Sequence, residues 1–159
     1  MPTVAIVEES SLPPERVLAA AHDFSERRSK IFSAVQPKYF EVHSTGDHSA
    51  DITEGTKSGP VYNWERCDYD WSKPDSVFAD VKDSNIYNPE GSWWELKATP
   101  KDGGSRVEMT WERNFKRTAK GRFFNFVFKH AGNRLFGKYA REIIENLEKL
   151  EAGSKGRAE

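Results

Sequence analysis

Residues Glu90–Trp111 read EGSWWELKATPKDGGSRVEMTW, and this stretch decides the fold. Two runs in which apolar and polar residues alternate flank the turn sequence Lys101–Gly104, a pattern typical of a β-hairpin. The residues expected on its inner face are Trp94, Leu96, Ala98, Val107, Met109, Trp111, Arg113 and Phe115. The hairpin therefore predicts an antiparallel sheet with an aromatic inner face and an occasional polar group on it.

The same alternation continues toward the N-terminus, where turn sequences rich in Gly, Pro, Asn and Asp divide it into further strands. Seven strands are predicted in all: Thr3–Glu8, Tyr39–His43, His48–Gly55, Val61–Trp71, Ser76–Lys82, Gly91–Thr99 and Ser105–Lys116. The last six follow one another at hairpin spacing. We expect an antiparallel meander that is strongly curved, because some of its strands are long.

Three helices are predicted beside the sheet. The first begins at Pro13-Pro14, because proline suits a first helical turn, whose N–H groups lack partners in any case, and it ends near His22. The second covers Ser25–Val35, with Ser25 as its N-cap. The long helix Gly121–Glu151 has apolar residues every three or four positions: Phe124, Phe128, Ala131, Leu135, Tyr139, Ile143, Leu147 and Leu150. We expect one domain over residues 3–151 and a disordered tail over 152–159, which has nothing to bury.

This order of elements resembles the helix-grip fold of the SRPBCC (START-like) superfamily, and within it the polyketide cyclase/dehydrase and lipid transport group. The resemblance covers about residues 3–150. Its most specific part is Glu90–Trp111, which is similar to the family's G-x-W…p-d-G-G-T-x-v-x-W hairpin, with Ser105 where Thr is usual; Leu12–Val17 is similar to the family's a-p-p-e-x-V start. The resemblance implies an α+β fold: a curved antiparallel sheet of about seven strands wrapped around a long C-terminal helix, with two short helices after the first strand. These motifs are signatures of a fold and contain no catalytic group.

Composition excludes several classes of protein. The 159 residues, 36% of them hydrophobic and 31% charged, suffice for one domain with a core or an internal cavity. Cys67 is the only cysteine, which excludes an internal disulfide and a Cys-rich metal site. No apolar run reaches the roughly 18 residues of a membrane span, and no signal-like leader opens the sequence. With the resemblance, these features lead us to expect a cytoplasmic, bacterial protein that is a monomer or a weak dimer.

A formal net charge of −1 conceals an uneven distribution. No acidic residue lies between Glu112 and Glu142, a segment that holds nine of the 24 basic residues and six of the ten Phe residues. Fifteen basic and 25 acidic residues remain elsewhere, a charge of −10, which argues against a nucleic-acid partner. Basic and aromatic residues at a helix start favour transient contact with an anionic membrane surface or with an acidic ligand tail. A solvated helix face is the alternative.

A sheet curled around a helix leaves a gap, which side chains fill or a ligand occupies. We expect the gap to bind or transport a hydrophobic or amphipathic small molecule or a lipid. The wall is predicted from Trp94, Leu96, Met109, Trp111, Phe124, Phe128 and Leu135, with Arg113 as polar anchor and with Arg122, Phe123 and Phe126 as the cavity mouth. Plain core packing is the alternative for each aromatic residue.

Catalysis and protein interaction are the competing functions. A polyketide cyclase or aromatase would need a proton donor or acceptor in an apolar pocket; the candidates are Arg113, Tyr69 and Glu65, with Tyr62 and Asp70 as further acids or bases. A structural role for each is the alternative, and we favour a binding protein over an enzyme. The four His residues are scattered, so no metal site is predicted, and no cofactor fingerprint is present. A protein-interaction module on the same fold is the third hypothesis.

Overall fold

All seven predicted strands form one antiparallel sheet in the computed structural model, which describes residues 2–158, with side chains from 2 to 154. The strands are β1 Thr3–Ser10, β2 Glu41–Thr45, β3 Ser49–Ser58, β4 Val61–Asp70, β5 Ser76–Ser84, β6 Trp93–Lys101 and β7 Gly104–Glu112. Their order across the sheet is β1-β7-β6-β5-β4-β3-β2. The predicted meander is confirmed. β1 pairs with β7 and forms one edge of the open sheet, and β2 forms the other.

The hairpin that decides the fold has the predicted inner face. Trp94 pairs with Trp111 and Leu96 with Met109, so their side chains share the inner face. Asp102 and Gly103 form the turn with φ of 51° and 83°. A two-residue turn with both φ angles positive matches the twist of antiparallel strands, which is why Asp-Gly is favoured there.

Two irregularities in the ladder bend the sheet. The register shifts between Val42 and Ser44 in β2, and again at Arg66 and Cys67, where β4 pairs with β5. Bulges of this kind increase the local twist and bend a strand. These two bulges bend the sheet, which we expected to be curved because some of its strands are long.

The helices are α1 Pro14–Ala21, α2 Arg28–Ile31 and α3 Ala119–Ala158, with a 3₁₀ turn at Pro37–Tyr39. The second helix is much shorter than the predicted Ser25–Val35. Phe32 leaves it with an extended backbone (φ −101°, ψ 95°), and Phe32 and Val35 are both buried in the core. The helix therefore ends at Ile31, and the chain continues in an extended conformation that buries these two side chains.

Two further boundaries differ from those predicted. β7 ends at Glu112 rather than Lys116, because only an isolated bridge between Tyr87 and Phe115 continues the pairing. α3 continues past the expected end at Glu151 to Ala158, and Ser154 Oγ donates to Leu150 O within it. The division into a domain over 3–151 and a disordered tail over 152–159 stays a prediction, and Glu159 lies outside the described residues.

α3 packs against the inner face of the sheet. The rings of Trp111 and Phe136 lie 4.7 Å apart, and Asn146 Nδ2 donates to Ile31 O at 3.2 Å. The predicted apolar stripe is buried or half-buried except at Leu135, which is 50% exposed. Within residues 2–158, no helix combines the length and apolarity that a bilayer span requires.

Candidate ligand cavity

A cavity of about 400 Å³ lies between the inner face of the sheet and α3. This volume falls in the range of roughly 300–1,000 Å³ that is typical of small-molecule sites. Ten of the 25 residues that line it are aromatic: Phe32, Trp64, Tyr87, Trp94, Trp111, Phe115, Phe124, Phe128, Phe136 and Tyr139. The gap expected between sheet and helix is therefore a real space, and its wall is mainly apolar.

Ring packing holds the two walls in place. Phe128 on α3 contacts Phe115 and Phe136 edge to face, with ring centroids 5.6 and 5.2 Å apart. Trp111 on β7 lies against Phe136. Such tilted and edge-to-face pairs are favourable beyond the area that they bury. The aromatic residues thus stabilise the wall by packing on one another and leave the centre open.

Two carboxylates face each other inside the cavity wall. Glu54 on β3 and Glu65 on β4 are directly paired in the sheet. Like charges opposite one another destabilise a sheet unless they are neutralised. Here each has its own arginine: Arg28 Nε donates to Glu54 at 2.8 Å, and Arg113 Nη1 donates to Glu65 at 3.0 Å.

Arg28 is fully engaged by protein groups. Its Nη1 donates to Ala21 O at 2.7 Å, and its Nη2 donates to the Tyr69 hydroxyl, which in turn donates to Glu54. Burial disfavours the guanidinium charge, but the Glu54 carboxylate outweighs burial and raises the pKa of Arg28. Burial also raises the pKa of Tyr69 well above its ordinary value, so its hydroxyl remains a donor.

Arg113 is engaged only in part. Its side chain is 4% exposed, and its guanidinium lies 4.5 Å from the centre of the Tyr87 ring. Burial raises the pKa of Tyr87 to about 12 and, despite Arg113, also raises the pKa of Glu65. Among the described residues, nothing accepts a hydrogen bond from Arg113 Nε, and Asn63 Oδ1 likewise has no donor. Both residues line the cavity, so its wall contains an unsatisfied donor and an unsatisfied acceptor, each covered by neighbouring protein atoms.

All but one of the residues predicted for the wall line the cavity. Those that do are Trp94, Met109, Trp111, Arg113, Phe124, Phe128 and Leu135. Leu96 does not line it; this residue pairs with Val77 and Met109 in the sheet and is 1% exposed. That the lining residues bind a ligand stays a prediction.

The three residues predicted for the mouth do not line the cavity. Phe123 and Phe126 are 61% and 62% exposed, and Arg122 is exposed as well. Helical periodicity turns them away from Phe124 and Phe128, which do line it. The wall instead meets solvent at Leu135 and Ala34, which are lining residues and also exposed.

The catalytic candidates separate by position. Glu65 and Arg113 line the cavity, whereas Tyr69 is 1% exposed and lies behind the wall in the Arg28 network. Tyr62 packs against the Tyr39 ring, 4.8 Å away, and exposed Asp70 accepts hydrogen bonds from Ser72. Only the Glu65–Arg113 pair therefore remains in contact with the cavity.

Arg28 and Glu54 are site residues that the sequence analysis missed. Glu54 had a signal, since it alternates with the inward residues Ala50 and Ile52 on β3. Arg28 had none, because it lies in a helix of four residues where no periodicity can be read. Its role depends on contacts with residues 26 and 41 positions away.

Cys67 is buried, as expected for a small apolar residue, and burial raises the pKa of its thiol well above the ordinary value. It is therefore not a reactive thiol. In the part of the chain that the structure describes, no three His, Cys, Asp or Glu residues are arranged to hold a metal ion.

Comparison with known proteins shows the fold. No family model matches the sequence, and no curated protein does. A protein from Thermus thermophilus is similar in structure with a TM-score of 0.76 at 14% identity, over 94% of this chain and 99% of that one. The Zhui aromatase/cyclase from a Streptomyces species has a TM-score of 0.75 at 11% identity, over 92% and 93%.

A START superfamily protein from Mycobacterium smegmatis has a TM-score of 0.61 at 10% identity and covers both chains fully. At such identities the likeness is one of fold alone, and functions do not transfer with a fold. The alignments with these three structures nevertheless cover at least 92% of this chain, with its seven-stranded antiparallel sheet, short helices after β1 and long C-terminal helix. The chain therefore has the α+β helix-grip fold of SRPBCC (START-like) proteins.

Proposed function

We propose that this chain binds one small, largely apolar molecule that carries aromatic rings and a hydrogen-bond acceptor. The observation that carries the proposal is a cavity of about 400 Å³ with an aromatic wall and the buried, unpartnered Nε of Arg113. A buried donor without a partner is costly, and an acceptor on a ligand would remove that cost. The free Asn63 Oδ1 would accept from a hydroxyl group on the same ligand.

The volume limits the size of the ligand. At about 30 Å³ per water-sized group, the cavity holds on the order of 13 such groups. That suits a molecule of two or three fused rings, or one short chain, and is too small for a lipid with two chains. Affinity would come mainly from burial of the ligand's apolar surface, at roughly 25 cal/mol per Å² before association costs.

Calorimetric titration with 2-naphthol and with naphthalene tests this proposal. We expect both to bind once per chain, and 2-naphthol more tightly. Arg113→Lys keeps a cation beside Glu65 but removes Nε, and should cost roughly 10- to 150-fold in 2-naphthol affinity, since a hydrogen bond to a charged group contributes roughly 1.5–3 kcal/mol. Naphthalene affinity should change little.

Arg106→Lys is the matched control, because Arg106 lies on the outer face of β7, the strand that ends just before Arg113. Equal affinity of wild type for the two compounds, or an equal loss in both variants, would contradict the proposed role of Arg113. Dodecanoic acid serves as a third probe; if it alone binds, the cavity is a site for single-chain lipids rather than for aromatic molecules.

Catalysis on such a ligand is the second candidate function, and one observation favours it. Glu65 lies in an apolar cavity, where burial raises its pKa and it can exchange a proton. Arg113, in contact with it, is placed to stabilise an enolate. Turnover of a poly-β-ketone mimic that is lost in Glu65→Gln, with 2-naphthol binding retained, would support an aromatase- or cyclase-like enzyme; no turnover above the uncatalysed rate would leave only the binding function.

A further inference from the structure

The exposed side of the first half of α3 is the surface whose features the ligand cavity does not explain. Phe123 and Phe126 present more than half of their surface to solvent. The Phe126 ring lies 4.4 Å from the ring of His130, one turn further on. Large apolar side chains grouped in this way on a surface indicate an interaction site. They lie on the opposite side of the helix from the cavity-lining Phe128.

Cations flank these rings and are not neutralised by the protein. Arg122, Lys129 and Arg134 form no ion pair with any residue whose side chain is described. Further along α3, Arg141 does contact Glu8 at 3.8 Å. We define the basic-aromatic face as Arg122, Phe123, Phe126, Lys129, His130 and Arg134. Ion pairs with acidic residues of the strands therefore do not neutralise the cations of this face.

The outer face of the sheet carries a mixture of charges. Carboxylates alternate with buried residues along β3 to β7 and therefore lie on this face: Asp51, Asp68, Asp80, Glu95, Glu108 and Glu112. Four of them pair with cations of the same face, which are Arg66, Lys82, Lys97 and Arg106. The basic-aromatic face, by contrast, has three cations that pair with no described side chain, so a negatively charged surface orients the molecule with this face toward it.

We propose that the basic-aromatic face docks on an anionic lipid bilayer. Cations attract the headgroups of such a bilayer, and exposed aromatic rings enter the boundary between headgroups and chains. We favour a bilayer over a protein partner because no carboxylate lies among the cations of this face, so that its charge has one sign throughout, as attraction to anionic headgroups requires. The proposal is independent of the ligand in the cavity, because Phe128 and Leu135, which line the cavity, lie on the other side of the helix.

Co-sedimentation of the full chain with vesicles tests the proposal. Binding is expected to vesicles of equal parts phosphatidylglycerol and phosphatidylcholine, not to phosphatidylcholine alone, and should weaken as salt is added. Arg122→Gln with Lys129→Gln should weaken binding roughly 30-fold, at about fivefold per cation. Phe123→Ser with Phe126→Ser should weaken it without changing its dependence on salt.

Lys73→Gln with Lys149→Gln is the matched control, since it removes the same charge from two other exposed positions. An equal loss in this control would show that only net charge matters and would overturn the proposal. Binding to a short DNA duplex as tightly as to the vesicles would also overturn the proposal, because the face would then recognise polyanions in general.

A fluorescence measurement separates insertion from simple attraction. Native Cys67 is 1% exposed, so a cysteine introduced by Phe126→Cys is labelled selectively with a polarity-sensitive dye. The emission of the dye should shift to the blue on anionic vesicles and stay unchanged when the dye is attached through Lys97→Cys, on the outer face of the sheet. Equal shifts at the two positions, or none at position 126, would overturn the docking orientation.

Discussion

Arg28 is the residue on which the inner polar network depends. All three of its nitrogens donate hydrogen bonds, and its guanidinium lies 4.0 Å from the centre of the Phe32 ring. Removing one partner of a buried pair leaves the other charged and unsolvated, which costs about 3–5 kcal/mol. We therefore expect Arg28→Ala to lower the free energy of unfolding by about that amount, as measured by urea denaturation.

Its neighbour in sequence provides the control. Arg27 pairs with Asp23 and Glu151 at 3.7 and 3.6 Å, but its side chain is 39% exposed. Exposed ion pairs contribute about 0–1 kcal/mol. Arg27→Ala should therefore lower the free energy of unfolding by much less than Arg28→Ala does. Equal losses in the two variants would contradict the importance given to the buried network.

Asp51 on the outer face makes stability depend on pH. Hydrogen bonds from Arg66 and Lys82 lower the pKa of its carboxyl to about 2. A lowered pKa stabilises the fold while the group is ionised in both states, and the contribution is lost as pH falls from the ordinary value of 3.8 toward 2. Asp51→Asn should therefore be destabilising near neutral pH, and the difference from wild type should shrink in acid.

Urea unfolding of wild type and variant from about pH 6 down to about pH 3 measures this difference. Exposed Asp75→Asn removes a charge of the same sign elsewhere and is the control. A difference that stays constant over the whole range would show that the Asp51 charge is not what stabilises the fold.

At the scale of single residues, alternation in the sequence correctly placed most of the wall, Arg113 included, but did not show how the charged residues pair. Period-two patterns identify the face of a side chain, so Trp94, Met109 and Trp111 could be predicted. Which charge meets which depends on strands and helices that are distant in sequence, as in the pairing of Arg113 with Glu65, 48 positions away. A local pattern contains no information of that kind.

At the scale of the element, two glycines in α3 have different environments. A Cβ at Gly132 would lie 2.8 Å from Val4 Cγ2, whereas one at Gly137 would meet Ile6 Cδ1 at an ordinary 3.7 Å. Gly132 thus permits close packing of α3 on β1. Replacement of glycine by alanine in a helix stabilises it by about 1 kcal/mol when there is room.

Gly137→Ala should therefore raise Tm by about 2–4 °C, as measured by calorimetry. Gly132→Ala should gain nothing or lose stability, because Val4 is stiff and 3% exposed. A rise in Tm of equal size in both variants would show that the contact with Val4 does not constrain the helix.

The lengths of elements were harder to predict than their number. All seven strands and the long helix could be recognised from periodicity, but β7 was predicted too long and α2 much too long. These ends are decided by the burial of Phe32 and Val35 and by the bridge of Phe115 to Tyr87. Such contacts form only once the sheet is assembled.

At the scale of the whole molecule, the helix-grip arrangement separates three environments. The inner face of the sheet and α3 enclose an aromatic cavity in which an arginine neutralises each of two carboxylates. On the outer face of the sheet, carboxylates and cations largely pair with one another, whereas the exposed side of α3 has cations that pair with no described side chain. The uneven charge seen in the sequence is thus concentrated on one side of α3, and the volume of the cavity was beyond prediction because it depends on the curvature of the sheet.

A crystal structure grown with 6-bromo-2-naphthol tests the central claim most directly, since the anomalous signal of bromine locates the molecule. We predict one bromine position inside the cavity, with the rings against Trp111 and Phe128. The naphthol oxygen should lie about 2.7–3.2 Å from Arg113 Nε. Bromine found only on the surface, with the cavity unchanged, would contradict the claim that this space is a ligand site.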